Sequence, residues 1–296
     1  MTDTGNWDRP EKQKARELAL EDVGQKTSTL WLPGEDTRCV DLARDRGVVT
    51  QETFIVAVEE DRATAGRIRR RLAKRGWTRQ SVVMNQTLTA VRLRSPLDFA
   101  FLDLCGQPDE PLARWIEQHL ADNLFEGADL SITFRLFRRN NLFMEQVEKA
   151  LKTPKGGAAL LHLAETLGIY NPAILLPLVV VLCCLRHQSF RILTPAIYRD
   201  EGHVSMLLLR LRDIRRSTET WWPSISDIIS GVERGWREGA YSEGARKAWE
   251  TLHEQGPRID PETARRSDIA RKAWATRRAN GWIHPAKLRQ GSGSDG

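Results

Sequence analysis

Two apolar runs, Phe190-Arg191-Ile192-Leu193-Thr194-Pro195-Ala196-Ile197 and His203-Val204-Ser205-Met206-Leu207-Leu208-Leu209-Arg210-Leu211, flank the polar turn Tyr198-Arg199-Asp200-Glu201-Gly202. A parallel crossover needs about a dozen residues or more, so two strands joined by so short a turn must run antiparallel. The stretch therefore predicts a β-hairpin. What precedes it predicts a different kind of sheet. From Thr27 onward, short apolar strands alternate with amphipathic helices, the pattern of successive βαβ units around a parallel sheet.

Five such strands are expected before the hairpin, over 29–32, 54–58, 81–84, 98–102 and 129–137. The second, Phe54-Ile55-Val56-Ala57-Val58, is apolar without interruption, as suits a strand covered by helices on both faces. Helices are expected over 37–46, ending at Gly47, over 63–75, ending at Gly76, and over 111–123. The helix over 63–75 is strongly basic. A long helical stretch, 142–185, then leads to the hairpin.

The composition, 41% hydrophobic and 28% charged over 296 residues, is that of a chain able to bury a core, with room for one large α/β domain and a smaller appendage. The division expected is a polar lead-in over 1–26, mobile or helical, an α/β domain over 27–216, a helical basic tail over 217–290 and a flexible linker over 291–296. Met1 to Lys14 lack the apolar core of a signal peptide, and the longest apolar run, from Ala173 to Leu185, is broken by Pro177 and is too short to span a bilayer. A cytoplasmic protein without a membrane partner is expected. Cys39, Cys105, Cys183 and Cys184 show no Cys-x-x-Cys spacing and no histidine pair completes a zinc set, so reduced thiols and no metal are expected.

In doubly wound sheets ligands bind beyond the carboxyl ends of the strands. The first strand leads into Leu32-Pro33-Gly34-Glu35-Asp36, where Gly34 lets the backbone approach a ligand or simply turns the chain. The second ends in Glu59-Glu60-Asp61; Glu59 can accept the two hydroxyls of a ribose, while Asp61 is better placed to cap the following helix. After the third, Asn85 and Gln86 either hydrogen-bond an adenine edge or form a polar turn. The fourth ends at Asp103-Leu104-Cys105-Gly106, which sets an acid at the central mouth of the sheet.

The spacing of Gly34, Glu59, Asn85 and Asp103 resembles motifs I to IV of class I S-adenosylmethionine-dependent methyltransferases, over roughly two thirds of the chain. The resemblance implies a Rossmann-like, mostly parallel sheet ending in an antiparallel β-hairpin, with S-adenosylmethionine as cofactor. It gives Gly34 a contact to the methionine part, Glu59 the ribose, Asn85 the adenine, and Asp103 a place at the methyl-transfer centre. The glycine turn holds one glycine where the family commonly has several. The Asn/Asp-Pro-Pro-Tyr/Phe signature of amino-methylating DNA enzymes is absent. Asp103-Leu104-Cys105-Gly106 looks like the Asp-Pro-Phe-Gly turn of tRNA guanine methyltransferases and some phage-borne relatives, with Leu104 in place of proline.

The net charge of +6 and pI near 9.3 suit a polyanionic partner or, equally, an ordinary basic solvated surface, and local clustering must decide. After Ile214 the sequence turns rich in tryptophan and arginine, and there Ser242-Glu243-Gly244-Ala245-Arg246-Lys247-Ala248-Trp249-Glu250-Thr251 recurs as Ser267-Asp268-Ile269-Ala270-Arg271-Lys272-Ala273-Trp274-Ala275-Thr276. Each copy opens with a serine able to cap a helix and sets an alanine and a tryptophan four residues apart on one face. Arg246, Lys247, Arg271 and Lys272 flank those faces and are the expected phosphate contacts, unless they are simply solvated. The two segments resemble small modular helices appended to phage nucleases and DNA-binding proteins. Two functions stay open: a methyltransferase-like protein acting on or binding DNA or RNA, and a non-catalytic nucleic-acid-binding protein that keeps the sheet without the cofactor.

Overall fold

A computed structural model describes residues 10–34, 37–104, 106–136, 142–151, 154–199, 205–218 and 224–226. In chain order the elements are α1 (Pro10–Ala19), β1 (Ser28–Trp31), α2 (Arg38–Asp45), β2 (Phe54–Val58), α3 (Arg62–Lys74), β3 (Ser81–Met84), β4 (Leu97–Asp103) and α4 (Glu110–Trp115). They are followed by β5 (Leu124–Arg135), α5 (Leu142–Leu151), α6 (Pro154–Leu167), α7 (Pro172–Cys184), β6 (Gln188–Arg199) and β7 (Ser205–Arg216). The strands form one sheet in the order β3-β2-β1-β4-β5-β7-β6. β1 to β5 pair in parallel, and β7 runs antiparallel to both β5 and β6. The fold is thus Rossmann-like and mostly parallel, closed by the antiparallel hairpin that the short connection requires.

Side chains alternate across the sheet, as the pleat dictates, and feed two apolar layers. Leu30, Ala100, Leu102, Leu130, Ile132, Phe134, Leu207 and Leu209 meet α4 to α7 on one face. Trp31, Ile55, Ala57, Phe99, Phe101 and Leu208 meet α1, α2 and α3 on the other. Helix α7 explains its own composition. It is apolar all round, and every residue from Ile174 to Cys184 is buried, so it has no solvent face to mark with charge.

The long helical stretch divides into three helices. Pro154 and Pro172 open α6 and α7, where a missing N–H costs nothing, and Gly168 leaves α6 in a left-handed turn (φ +64°). The helix expected over 111–123 begins as α4 and ends in a π turn, Ile116–Leu120, and a 3-10 turn, Ala121–Asn123. β5 starts earlier than its apolar run, at Leu124, because irregular pairing on both sides lets Glu126 and Gly127 (φ +80°) sit within the strand.

β7 continues past Leu211 to Arg216 for a reason that polarity hides. Arg212 is 1% exposed, yet it belongs to the sheet: its Nη2 donates to the carbonyls of Ala19 (2.8 Å) and Glu21 (3.1 Å), and its Nη1 to Ser131 Oγ (3.2 Å). Arg210 donates to the Leu18 carbonyl (3.2 Å) and pairs with Glu21. The last carbonyls of a helix have no partner within it, and here two arginines of a strand supply them. Ser131 Oγ adds a bond to the Ala19 carbonyl (2.7 Å), and Lys26 closes the far side on Asp129 (2.7 Å). The lead-in therefore contributes α1, with Ala15 and Ala19 buried, to the core of the domain.

Candidate functional site

Because the strands from β1 to β5 are parallel, their carboxyl ends share one rim. Along it lie Asn85 after β3, Glu59 after β2, Gly34 beyond β1 and Asp103 closing β4, on four strands that are neighbours in the sheet. The crossovers run one way from β1 to β2 and β3 and the other way to β4, so Gly34 and Asp103 flank the point where the direction reverses. That crevice is where ligands enter open α/β sheets.

Gly34 is in the left-handed region (φ +61°), which a side chain would strain. Asp61 caps α3, its carboxylate accepting from the Thr64 N–H at 2.7 Å. Hydrogen bonds from the hydroxyl and then the N–H of Thr64 hold the exposed Asp61 carboxyl below the usual carboxylate range. With Asp61 committed to the helix, Glu59 is half-buried at the rim; its Oε1 accepts from the Asp61 N–H (2.9 Å), and Oε2 has no partner among the described residues. Asn85 donates both amide protons inward, to the carbonyls of Glu59 (3.1 Å) and Glu60 (2.7 Å). It thereby braces the turn that carries Glu59 and leaves Oδ1 as an acceptor. Gln86 turns back toward Met84 instead.

Asp103 is half-buried, and its Oδ1 accepts from the hydroxyl of Thr133 at 2.9 Å. Thr133 is the rim residue that sequence reading passed over. It lies across the β4–β5 register from Asp103, 1% exposed, and also donates toward the Leu104 carbonyl (3.3 Å). Only its alternation with Ile132 and Phe134 hinted that it faces the other layer. Asp103 Oδ2 is without a partner among the described residues.

Cys39, Cys183 and Cys184 are buried and form no disulfide among the described residues. Burial drives the thiols of Cys183 and Cys184 well upward, so both stay protonated and unreactive. Glu35, Asp36 and Cys105 lie outside the described residues, as do Arg246, Lys247, Arg271 and Lys272 with the rest of both repeats. Among the described residues no three His, Cys, Asp or Glu side chains form a metal-binding group, and no helix is long and apolar enough to cross a membrane. A cavity of about 650 Å³ lies at the opposite end of the sheet, where β6 begins and β7 ends, lined by Glu117, Asp122, Arg186, His187, Gln188 and Arg216. Its mixed charges give it no evident ligand.

No protein-family model and no curated protein matches this sequence. Among solved structures the chain is similar to the N-methyltransferase NodS from Bradyrhizobium japonicum WM9, in complex with S-adenosyl-L-homocysteine, at 11% identity and a TM-score of 0.44, over 70% of this chain and 89% of that one. A putative rRNA methylase from Clostridium thermocellum gives 8% identity and a TM-score of 0.42 over 69% and 98% of the two chains. A putative methyltransferase from Pseudomonas syringae gives 15% and 0.40 over 69% and 99%. At these levels the fold rests on the chain's own strand order. That order defines a Rossmann-like α/β fold, a mostly parallel seven-stranded sheet closed by an antiparallel hairpin.

Proposed function

We propose that this chain is an S-adenosylmethionine-dependent methyltransferase acting on nucleic acid, DNA or RNA. The reading is carried by one observation: in a sheet of methyltransferase order, Asn85, Glu59, Gly34 and Asp103 follow one another on four adjacent strand ends about the crossover switch point. The free atoms suit the cofactor. Glu59 Oε2 can accept from ribose hydroxyls, Asn85 Oδ1 from the adenine amine, and the Gly34 turn gives room for the methionine end.

The cofactor would supply a methyl group on a sulfonium, open to in-line displacement, which leaves the protein the tasks of positioning and electrostatics. Asp103 would accept a hydrogen bond from the attacking base nitrogen and take up its proton. Thr133 holds one oxygen of that carboxylate and so directs the other. The basic tail and the overall charge of +6 support a polyanionic substrate. Titration calorimetry with S-adenosylmethionine tests the cofactor reading. Saturable binding is expected, and no heat at millimolar cofactor would leave the non-catalytic nucleic-acid-binding reading in its place.

A further inference from the structure

The basic helix α3 is not accounted for by the rim, the fold or the tail. Its sequence, RATAGRIRRRLAK, carries six cations and no acid. Ala65, Ile68 and Leu72 face the core, so the cations spread over the outward surface. Within the helix Arg67 and Arg71, and Arg70 and Lys74, repel at i,i+4 spacing, and Arg62 stands in the first turn where the helix dipole disfavours a cation. Folding alone gains little from this arrangement.

Elsewhere exposed arginines meet acids: Arg44 with Asp45, Arg46 with Glu17, Arg114 with Glu110 and Arg215 with Asp213. On α3, Arg67 is tied to Thr64 Oγ1 (2.8 Å). Arg69 donates to the Val83 carbonyl (2.8 Å) on the outer side of β3, covering part of a free sheet edge. Arg62, Arg70 and Lys74, with Arg79 just beyond the helix, are exposed and form no ion pair with a described residue.

We infer that Arg62, Arg70, Lys74 and Arg79 form a track for the phosphates of a nucleic acid, separate from the tail. The inference rests on the proposed function and deepens it by naming where the polymer runs along the domain. α3 is about 18 Å long at about 1.5 Å per residue, as long as about five phosphates of one duplex strand. Its amino end lies beside the rim that carries Glu59. A strand held on the track leads to the candidate site, and contacts of this kind position the polymer without reading its sequence.

The test uses the full chain without cofactor, so that it stands whether or not S-adenosylmethionine binds. Anisotropy of labelled single-stranded RNA and DNA of mixed sequence is measured against salt for wild type and for the fourfold variant R62Q, R70Q, K74Q and R79Q. With four cations fewer on the phosphates, the slope of log K against log salt should flatten by about three, at about 0.7 per phosphate. Wild type should then lose about fifty-fold more affinity than the variant between 50 and 200 mM salt, equally for RNA and DNA. Removing like charges should leave the melting temperature unchanged or raised. The charge-preserving pair R70K and K74R should bind as wild type. An unchanged slope, with or without loss of affinity, would overturn the track; so would failure of the charge-preserving pair, or wild-type binding to anionic vesicles or polyglutamate but not to nucleic acid.

Discussion

Glu59 and Asp103 sit on the same rim but are held differently, and the difference predicts distinct losses. Glu59 keeps one oxygen free for ligand, so Glu59→Ala should weaken cofactor binding about ten- to a hundredfold, the worth of hydrogen bonds to a charged group, without lowering the melting temperature. Unchanged affinity in calorimetry would remove it from the site. Asp103→Ala should lower turnover by about a hundredfold or more while sparing cofactor affinity, as expected of a group that serves the reacting nitrogen. Thr133→Val keeps the volume and removes the hydrogen bond to Oδ1, so kcat should fall about tenfold with cofactor affinity intact. Equal loss of affinity and turnover would make Asp103 and Thr133 binding residues. Asp61 gives a test in pH. A depressed carboxyl contributes stability above its unfolded value and loses it as pH falls through its folded value. Asp61→Ala should therefore show a stability deficit at neutral pH that shrinks in acid, and a deficit independent of pH would refute the cap.

Among the elements, α1 and β7 depend on each other most directly. Burial lowers the pKa of Arg212 to about 10, partly offset by Asp129, so the group remains charged at neutral pH and must be satisfied where it lies. Its acceptors are carbonyls at the end of α1, a serine of β5 and the carbonyls of Leu130 and Leu211. Arg212→Met should destabilise the domain by about 2–4 kcal/mol, since it strands the Glu21 carbonyl, leaves that of Ala19 to Ser131 alone and removes the remaining bonds. Chemical denaturation would measure the change. Hydrogen exchange should show α1 released before β4 and β5, and a variant as stable as wild type would mean that the helix is held by apolar contact alone.

At the scale of the whole molecule, two sets of cations are candidates for a nucleic acid: those of α3, which has no acid, and Arg246, Lys247, Arg271 and Lys272 of the repeated tail. Deleting residues 240–296 should weaken nucleic-acid binding and reduce the salt slope by about one for each phosphate that the tail had neutralised. The α/β domain should melt as before. Replacing Arg246, Lys247, Arg271 and Lys272 with glutamine should reproduce most of that effect, because it removes charge and keeps both tryptophans. A full slope in the glutamine variant would assign these cations to solvated surface and leave α3 to account for binding.

Period-two and period-3.6 patterns in residues 27–211 were enough to read the order of strands and helices, and the short turn between the last two strands was enough to reverse one of them. These are local properties, since alternation and loop length act within a few residues. The positions of Gly34, Glu59, Asn85 and Asp103 along the rim were legible for the same reason: each ends a strand or follows one within three residues. The partners of those residues were not. Thr133 holds Asp103 from a different strand, Asn85 braces Glu59 across two strand ends, and the charges of Arg210 and Arg212 enter the core because α1, far away in the chain, offers them carbonyls. A polar residue inside a strand has no local signature of its partner, so burial of charge depends on what the completed fold brings against it.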